Sequence, residues 1–349
     1  MATWLIAALA AVLVSLVYVI LLRFIDRYEP DPWRWVLTAF ALGAVVVPIV
    51  VMGGRLLIGQ EFSLPLPYAS DRPYPGVRIA EQVTVGILLL AFVYAIRAEF
   101  DDALDGVVYG AAIGAGLGAA QTVLYAAAAY GSSQGLPQGA SFATILVSGL
   151  NQAAYGGIFG AFLGYAYWYV RGPRSVIVVI LGLATAAMAS AFHDTLPYML
   201  ARLFDRPDVT AGLLTRGAIF AINLVGPLAL LIAVLHFIRH ESQILRTFLT
   251  PEVASGTIGR DDLDEVQSFR SRLDREFGFV RAGRFGDLRL LRRFYRAEGQ
   301  LAFHLWHMRL GRAGDAATAR EEELRARTRD LRVGVEAARA VDRDEGPAR

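Results

Sequence analysis

Polar side chains lie inside apolar segments that are long enough to cross a membrane. Between residues 77 and 200 they are Glu81, Gln82, Gln121, Asn151, Gln152, His193 and Asp194. Such groups are costly in hydrocarbon, so they generally face the interior of a helical bundle and have a function. Glu81 can act as a base, His193 can carry a proton or bind a metal, and the amides can donate hydrogen bonds to an oxyanion. These residue types suit hydrolysis of a carbonyl compound.

A metal centre is a second possibility, although few donors are available for it. Zinc sites generally take three protein ligands from His, Cys, Asp and Glu. The chain has no Cys, and within the apolar segments only Glu81, His193 and Asp194 qualify. We take Glu81 and His193 as candidate metal ligands and zinc as the candidate ion. Gln82, Gln121, Asn151 and Asp194 are the supporting polar residues.

The elements that position these residues are predicted to be membrane-spanning helices, because a span needs about 20 apolar residues. About seven segments qualify by length and apolarity. They are Ala2–Leu22, Trp33–Ile58, Val77–Ile96, Leu104–Tyr130, Ala140–Val170, Val176–Leu200 and Leu213–Ile238. At 1.5 Å per residue, the polar side chains of four consecutive spans fall in one layer. The predicted fold is an all-α polytopic membrane bundle.

Composition divides the 349-residue chain into two parts. We predict a transmembrane bundle over residues 1–240 and a soluble tail rich in Arg, Asp and Glu over residues 241–349, with a disordered C-terminal end. Arg97, Arg171, Arg174 and Arg239 flank the spans on one side. Basic loops remain in the cytoplasm. We therefore expect a multi-pass membrane protein whose tail is cytoplasmic.

Helical spacing of apolar residues, as in Leu288, Leu291 and Tyr295, predicts amphipathic helices in the tail. We expect Asp261 to cap one helix over DDLDEVQSFRSRLDREF and Asp287 to open a second. A third is expected over about Ala316–Val341. Acids and bases nearly balance, so the tail is not predicted to bind nucleic acid.

Two further patterns have simple structural interpretations. Gly110, Gly114 and Gly118 are four residues apart, which favours close helix packing. No strand precedes this glycine-rich run, so we do not interpret it as a phosphate loop. His236 and His240 lie one helical turn apart, a spacing that suits metal ligands, but their interfacial position favours a structural role.

The stretches DRYEPDPWRW (Asp26–Trp35) and LDGVVYGAAIGAGLGAAQTVLY resemble those of the PrsW family of bacterial intramembrane proteases. The resemblance extends through the tail, where ILRTFLTPEVASGTI and RRFYRAEGQLAFHL are similar to longer members. It implies a helical multi-pass fold in the bacterial inner membrane and cleavage of a membrane-anchored protein substrate within the lipid bilayer.

The resemblance is weaker in the catalytic motifs. Glu81 matches the first residue of the family's Glu pair, but Gln82 replaces the second and Val85 the following Lys. In the next span Leu117 and Gln121 replace Phe and Glu. His193 matches the later His, Pro197 stands at the following acid, and Asn151 stands where many members have a further His.

Two functions from different classes remain open at this stage. In an active peptidase, Glu81 would be the base, His193 its partner, and Gln121 and Asn151 the groups that stabilise the intermediate. In a non-catalytic scaffold or substrate-binding pseudoprotease, the same residues would form an interhelical hydrogen-bond network. A transporter is disfavoured because no charged path continues through the inner half of the bundle.

Overall fold

A computed structural model describes residues 2–25, 32–57, 74–97, 99–131, 142–203, 209–312 and 317–344. All regular elements within these ranges are α-helices, which confirms the predicted fold class. Two compact units are present, the first ending at Leu235 and the second beginning at His236. Each unit has its own core.

Each of the seven predicted spans overlaps a helix of the structure. The helices are α1 (Ala2–Ile25), α2 (Trp33–Leu57), α3 (Pro75–Ala95), α4 (Ala103–Gly131), α5 (Phe142–Tyr169), α6 (Pro173–Leu203) and α7 (Val209–Ala254). Over the described residues, α2, α3, α4, α6 and α7 are long and apolar enough to cross a membrane, while α1 contributes a shorter apolar stretch. The chain is a multi-pass membrane protein.

Helix α4 is the centre of the first unit and packs against α1, α2, α3 and α5. Its residues from Ala103 to Ala119 are buried on every side. A helix that is apolar all round is suited to this central position.

Glycines allow α4 and α5 to pack with their backbones in contact. A Cβ atom on Gly110 would lie 2.2 Å from the carbonyl oxygen of Gly156, and one on Gly156 would lie 2.1 Å from that of Gly110. Gly106 and Gly160 face each other in the same way. The packing role predicted for the glycine repeat is confirmed, and it brings the polar residues of α4 and α5 close together.

The polar side chains of α3 share one buried face. Arg78, Glu81, Gln82 and Val85 are spaced at helical intervals and all are buried. Helix α6 packs against both α3 and α5. The buried face of α3 therefore lies close to the polar residues of its neighbours.

The second unit contains the end of α7 and four further helices. They are α8 (Arg260–Gln267), α9 (Phe269–Arg281), α10 (Phe285–Arg309) and α11 (Ala317–Asp344). Leu245, Leu249, Leu291 and Phe294 belong to its apolar core. The predicted disordered end falls mainly on residues 345–349, which lie outside the described ranges.

Two predicted helix starts in the tail are wrong. Gly259, not Asp261, precedes α8, and its N–H donates to Asp262 at 2.8 Å. The predicted single helix is divided at Ser268, whose side chain accepts from the Ser271 N–H at 3.2 Å. Serine competes with the helical hydrogen bonds in this way. Helix α10 begins at Phe285, two residues before Asp287.

Candidate functional site

Arg78 joins two carboxylates of the polar layer. Its Nη1 atom donates to Glu81 Oε2 at 2.9 Å within α3, and its Nε lies 3.3 Å from Asp194 Oδ1 on α6. The side chains of Arg78 and Glu81 are only 5% and 6% exposed. The Tyr74 N–H donates to the other Asp194 oxygen at 3.2 Å. Both carboxylates are thus held by a guanidinium that stays protonated.

His193 belongs to a second cluster, with two asparagines. Its Nε2 lies 3.0 Å from Asn223 Oδ1, which also accepts from Asn151 Nδ2 at 3.2 Å. Asn151 Nδ2 is 3.5 Å from the same imidazole nitrogen. Asn223 Oδ1 can accept a hydrogen bond from the Nε2–H tautomer of the imidazole. Helices α5, α6 and α7 meet at this cluster.

Three glutamines form a directed chain of hydrogen bonds through the layer. Gln82 Nε2 donates to Gln152 Oε1 at 2.8 Å, and Gln152 Nε2 donates to Gln121 Oε1 at 3.1 Å. All three side chains are buried. These hydrogen bonds join α3, α5 and α4.

Two buried polar atoms of the layer have no hydrogen-bond partner within the described part of the chain. They are Gln121 Nε2, a donor at the end of the glutamine chain, and Asn151 Oδ1, an acceptor. Gln121 is 8% exposed and Asn151 only 1%. Buried polar atoms are nearly always satisfied. These two atoms are complementary to the C=O and N–H groups of a peptide backbone.

The surroundings of Asn151 are closely packed. A Cβ atom at Gly226 of α7 would lie 3.0 Å from Asn151 Oδ1 and 3.3 Å from the Tyr155 ring. The Tyr155 ring in turn meets the His193 ring edge-on, with centroids 6.1 Å apart. Gly226 therefore provides the space that Asn151 and Tyr155 need.

The structure brings the predicted site residues into contacts, but in a different pairing. Glu81 and His193, expected to act together, form no hydrogen bond with each other among the described contacts; Glu81 bonds Arg78, and His193 bonds Asn223. Gln82 and Gln121 are linked through Gln152. The Pro197 side chain and residues 26–31 of the motif DRYEPDPWRW lie outside the described positions.

Sequence reasoning missed Arg78 and Asn223 as site residues. Arg78 lies three residues before Glu81, which is a helical contact distance. Asn223 is a polar residue within the seventh predicted span, so the rule that identified the others also applies to it. Both signals were present in the sequence.

The residues present do not fit a zinc ion. Within the described residues, no three of the His, Asp and Glu side chains come together as a metal site. Glu81 and Asp194 face the Arg78 cation, and His193 Nε2 lies 3.0 Å from Asn223 Oδ1. To bind a metal, either carboxylate would have to give up its contact with this guanidinium. His236 and His240 of the second unit do not form such a group either.

Comparisons with known proteins agree with the sequence motifs. A family profile described as PrsW family intramembrane metalloprotease matches residues 31–225. The curated Protease PrsW of Geobacillus kaustophilus is 28% identical over 150 residues, which cover 43% of this chain and 61% of that relative. The chain thus spans less than two thirds of that relative's length. No solved structure matches. The profile region includes every residue of the polar layer.

Proposed function

Because the chain belongs to the PrsW family of intramembrane metalloproteases, we propose that it is a non-catalytic member that binds a membrane-anchored protein client. The client would be held at the polar layer between α3, α4, α5, α6 and α7. The observation that carries this proposal is the guanidinium of Arg78, which lies between Glu81 and Asp194.

Arg78 makes Glu81 a poor general base. If Glu81 took a proton from water, it would lose its charge and weaken a buried ion pair. Breaking such a pair costs about 3–5 kcal/mol, because the remaining charge is left without compensation. A hydrolytic step that began with this transfer would carry that cost in its barrier. Apart from His193 and Asp194, the remaining positions of the layer are amides, which do not transfer protons at neutral pH.

Client binding is supported by the unsatisfied atoms of the layer. Gln121 Nε2 can donate to a client carbonyl, and Asn151 Oδ1 can accept from a client N–H. In hydrocarbon each polar group without a hydrogen bond costs several kcal/mol. A client segment with exposed backbone groups would therefore form hydrogen bonds that satisfy its own backbone and these two side-chain atoms. The client class is therefore a single membrane span with a locally unwound stretch.

The metal content of the purified protein tests the non-catalytic assignment. Wild type, Glu81→Gln and His193→Ala are prepared without chelators and analysed by mass spectrometry for zinc. We expect substoichiometric zinc in all three. Near-stoichiometric zinc that is lost in both variants would contradict the proposal and indicate an active metalloprotease.

Client binding is tested by photo-crosslinking. A benzoylphenylalanine at Ala120, next to Gln121, is compared with one at Tyr94, which is 73% exposed on α3. We expect uncleaved single-span proteins to crosslink at residue 120. These crosslinks should be lost with Gln121→Leu and should persist with Glu81→Gln. A client that is cleaved by wild type and spared by Glu81→Gln would instead establish the alternative, a peptidase with Glu81 as base.

We also propose the bacterial inner membrane as the location and the cytoplasm as the compartment of the tail. The basic residues Arg97, Arg171 and Arg174 support this orientation. The chain lacks Cys, so single cysteines at Arg174 and Arg329 can be labelled in intact cells. Both should react with membrane-permeant maleimides only. Labelling by an impermeant reagent at either position would contradict the proposed orientation.

A further inference from the structure

The turn between α9 and α10 exposes apolar side chains in the otherwise charged second unit. Phe277, Val280 and Phe285 are 66%, 41% and 65% exposed. Cβ atoms at Gly278, Gly283 and Gly286 would meet nothing within 4 Å, so the backbone is open as well. Gly283 has a φ of +70°, which allows the tight reversal between the helices. Two aromatic rings therefore project from a bend.

The same bend is strongly basic. Nine arginines and three carboxylates lie between Arg270 and Arg296, although the whole chain has a net charge of only +2. Several of these arginines are paired, as Arg275 is with Glu265 and Arg292 with Glu276. The exposed arginines that form no ion pair within the described residues are Arg281, Arg289, Arg293 and Arg296.

Apolar and basic groups occupy the same helix faces. On α9, Phe277, Val280 and Arg281 are related by three and four residues. On α10, Phe285 is followed at intervals of four and three residues by the exposed arginines. We define the basic corner as Phe277, Val280, Arg281, Phe285, Arg289, Arg293 and Arg296.

We propose that the basic corner docks on the surface of a bilayer containing anionic phospholipids. Aromatic side chains that insert below the headgroups, with arginines beside them, are the signature of interfacial membrane binding. Phosphate headgroups complement the unpaired arginines. The spans of the first unit anchor the chain in the bilayer, so the tail meets lipid at high effective concentration.

A protein partner fits these observations less well. Protein partners bury projecting aromatic anchors in pockets of their own, which demands a matched surface. A bilayer accepts projecting side chains of any arrangement, and the open glycines allow a flat surface to approach closely. An acidic protein partner is one of the outcomes that the experiment distinguishes.

The test uses the full-length protein in lipid nanodiscs. Because the chain has no Cys, Gly286→Cys carries a single environment-sensitive fluorophore and leaves both aromatic rings in place. Val333→Cys, at an exposed position of α11, carries the control fluorophore. Emission and quenching by doxyl-labelled lipids are compared in phosphatidylcholine and in mixtures with phosphatidylglycerol.

We expect a blue shift at residue 286 in the anionic nanodiscs, with at least threefold stronger lipid quenching than at residue 333. The paired change Arg289→Glu and Arg293→Glu should abolish the difference, as should Phe277→Ser with Phe285→Ser. The matched change Arg329→Glu on α11 should leave it intact. High salt should weaken it.

Equal lipid quenching at residues 286 and 333 would overturn the proposal. A blue shift at residue 286 that doxyl lipids do not quench would also overturn it, and would indicate that protein covers the corner. Persistence of the full effect in pure phosphatidylcholine would remove the role assigned to the arginines.

Discussion

Arg78 and Glu81 form a buried ion pair across one turn of α3, with Nη1 and Oε2 2.9 Å apart. The same guanidinium reaches Asp194 on α6 at 3.3 Å. The carboxylate that the sequence motif presents as a catalytic base is therefore also half of a structural interaction between two spans. Replacing Arg78 should affect folding before it affects any chemistry.

We predict that Arg78→Met lowers the free energy of unfolding by about 3–5 kcal/mol, because two buried carboxylates lose their cation. Adding Glu81→Gln should restore part of this loss by removing one of the uncompensated charges. Thermal or denaturant unfolding in mild detergent, arranged as a double-mutant cycle, measures the coupling.

The control is a surface ion pair of the same unit. Arg34 lies 3.4 Å from Glu99, with side chains 67% and 43% exposed. Arg34→Met should cost at most about 1 kcal/mol. If both arginine variants unfold at the same denaturant concentration, the buried ion pair of Arg78 contributes no more to the free energy of unfolding than the surface pair does.

The sequence was sufficient to predict the polar layer but not its pairing. Gln82, Gln121 and Gln152 were identified because amides are costly in hydrocarbon, and the structure joins them into one chain. Arg78 lies at the predicted start of a span, where residues are usually interfacial, so the sequence did not identify it as a site residue. Its buried role depends on how α3 meets α6, which local sequence does not specify.

The tail shows a different limit of sequence reasoning. The apolar periodicity correctly predicted helices around Leu288 and Leu291, which are buried in the core of the second unit. It did not predict the division at Ser268, because the hydrophobic pattern continues through the break. The local competition between a serine side chain and the helical backbone determines that boundary.

We predict that Gly110→Ala disrupts the packing of α4 on α5. Its Cβ would lie 2.2 Å from the Gly156 carbonyl oxygen, so one helix backbone must move. Overpacking of this kind costs about 1–3 kcal/mol or more. Loss of monodisperse protein in detergent and a lower unfolding temperature are the expected readouts.

Gly54 provides the matched control, because a Cβ there meets nothing within 4 Å. Gly54→Ala within α2 should be neutral or slightly stabilising, since alanine favours the helix. Equal effects of the two substitutions would show that helix propensity, and not the contact with Gly156, sets the response.

Asp101, in the turn between α3 and α4, should titrate near neutral pH. Burial, followed by repulsion from Asp102 and Glu99, raises its pKa to about 7. The unfolded chain has a pKa of about 3.9 at this residue. Above that pH the unfolded state releases a proton that the folded state keeps, so stability falls as pH rises towards 7.

Asp101→Asn should therefore raise the unfolding temperature at pH 8 and have little effect near pH 4. Asp330→Asn, at an exposed position of α11, is the control and should show no such pH dependence. A constant difference between Asp101→Asn and wild type across this range would rule out the raised pKa as its cause.

Glu298 is fully buried in the second unit, and neither of its oxygens has a hydrogen-bond partner among the described residues. Burial, together with the charges of Asp262 and Glu265, raises its pKa well above the usual range, while Arg272 and Arg339 oppose the shift. Burial therefore favours the protonated form of Glu298. Its proton is retained on folding, so the stability of the unit falls as pH rises above about 4.3.

Glu298→Gln keeps the shape of the protonated acid and cannot ionise. We predict that this substitution stabilises the second unit relative to wild type by an amount that grows with pH above about 4.3. Below that pH the two proteins should have the same stability. Differential scanning calorimetry of the full chain between pH 4 and 8 measures this divergence. Glu322→Gln, on the exposed face of α11, should run parallel to wild type. If Glu298→Gln also runs parallel, Glu298 ionises alike in both states, and its burial would have to be compensated by a neighbouring cation such as Arg272.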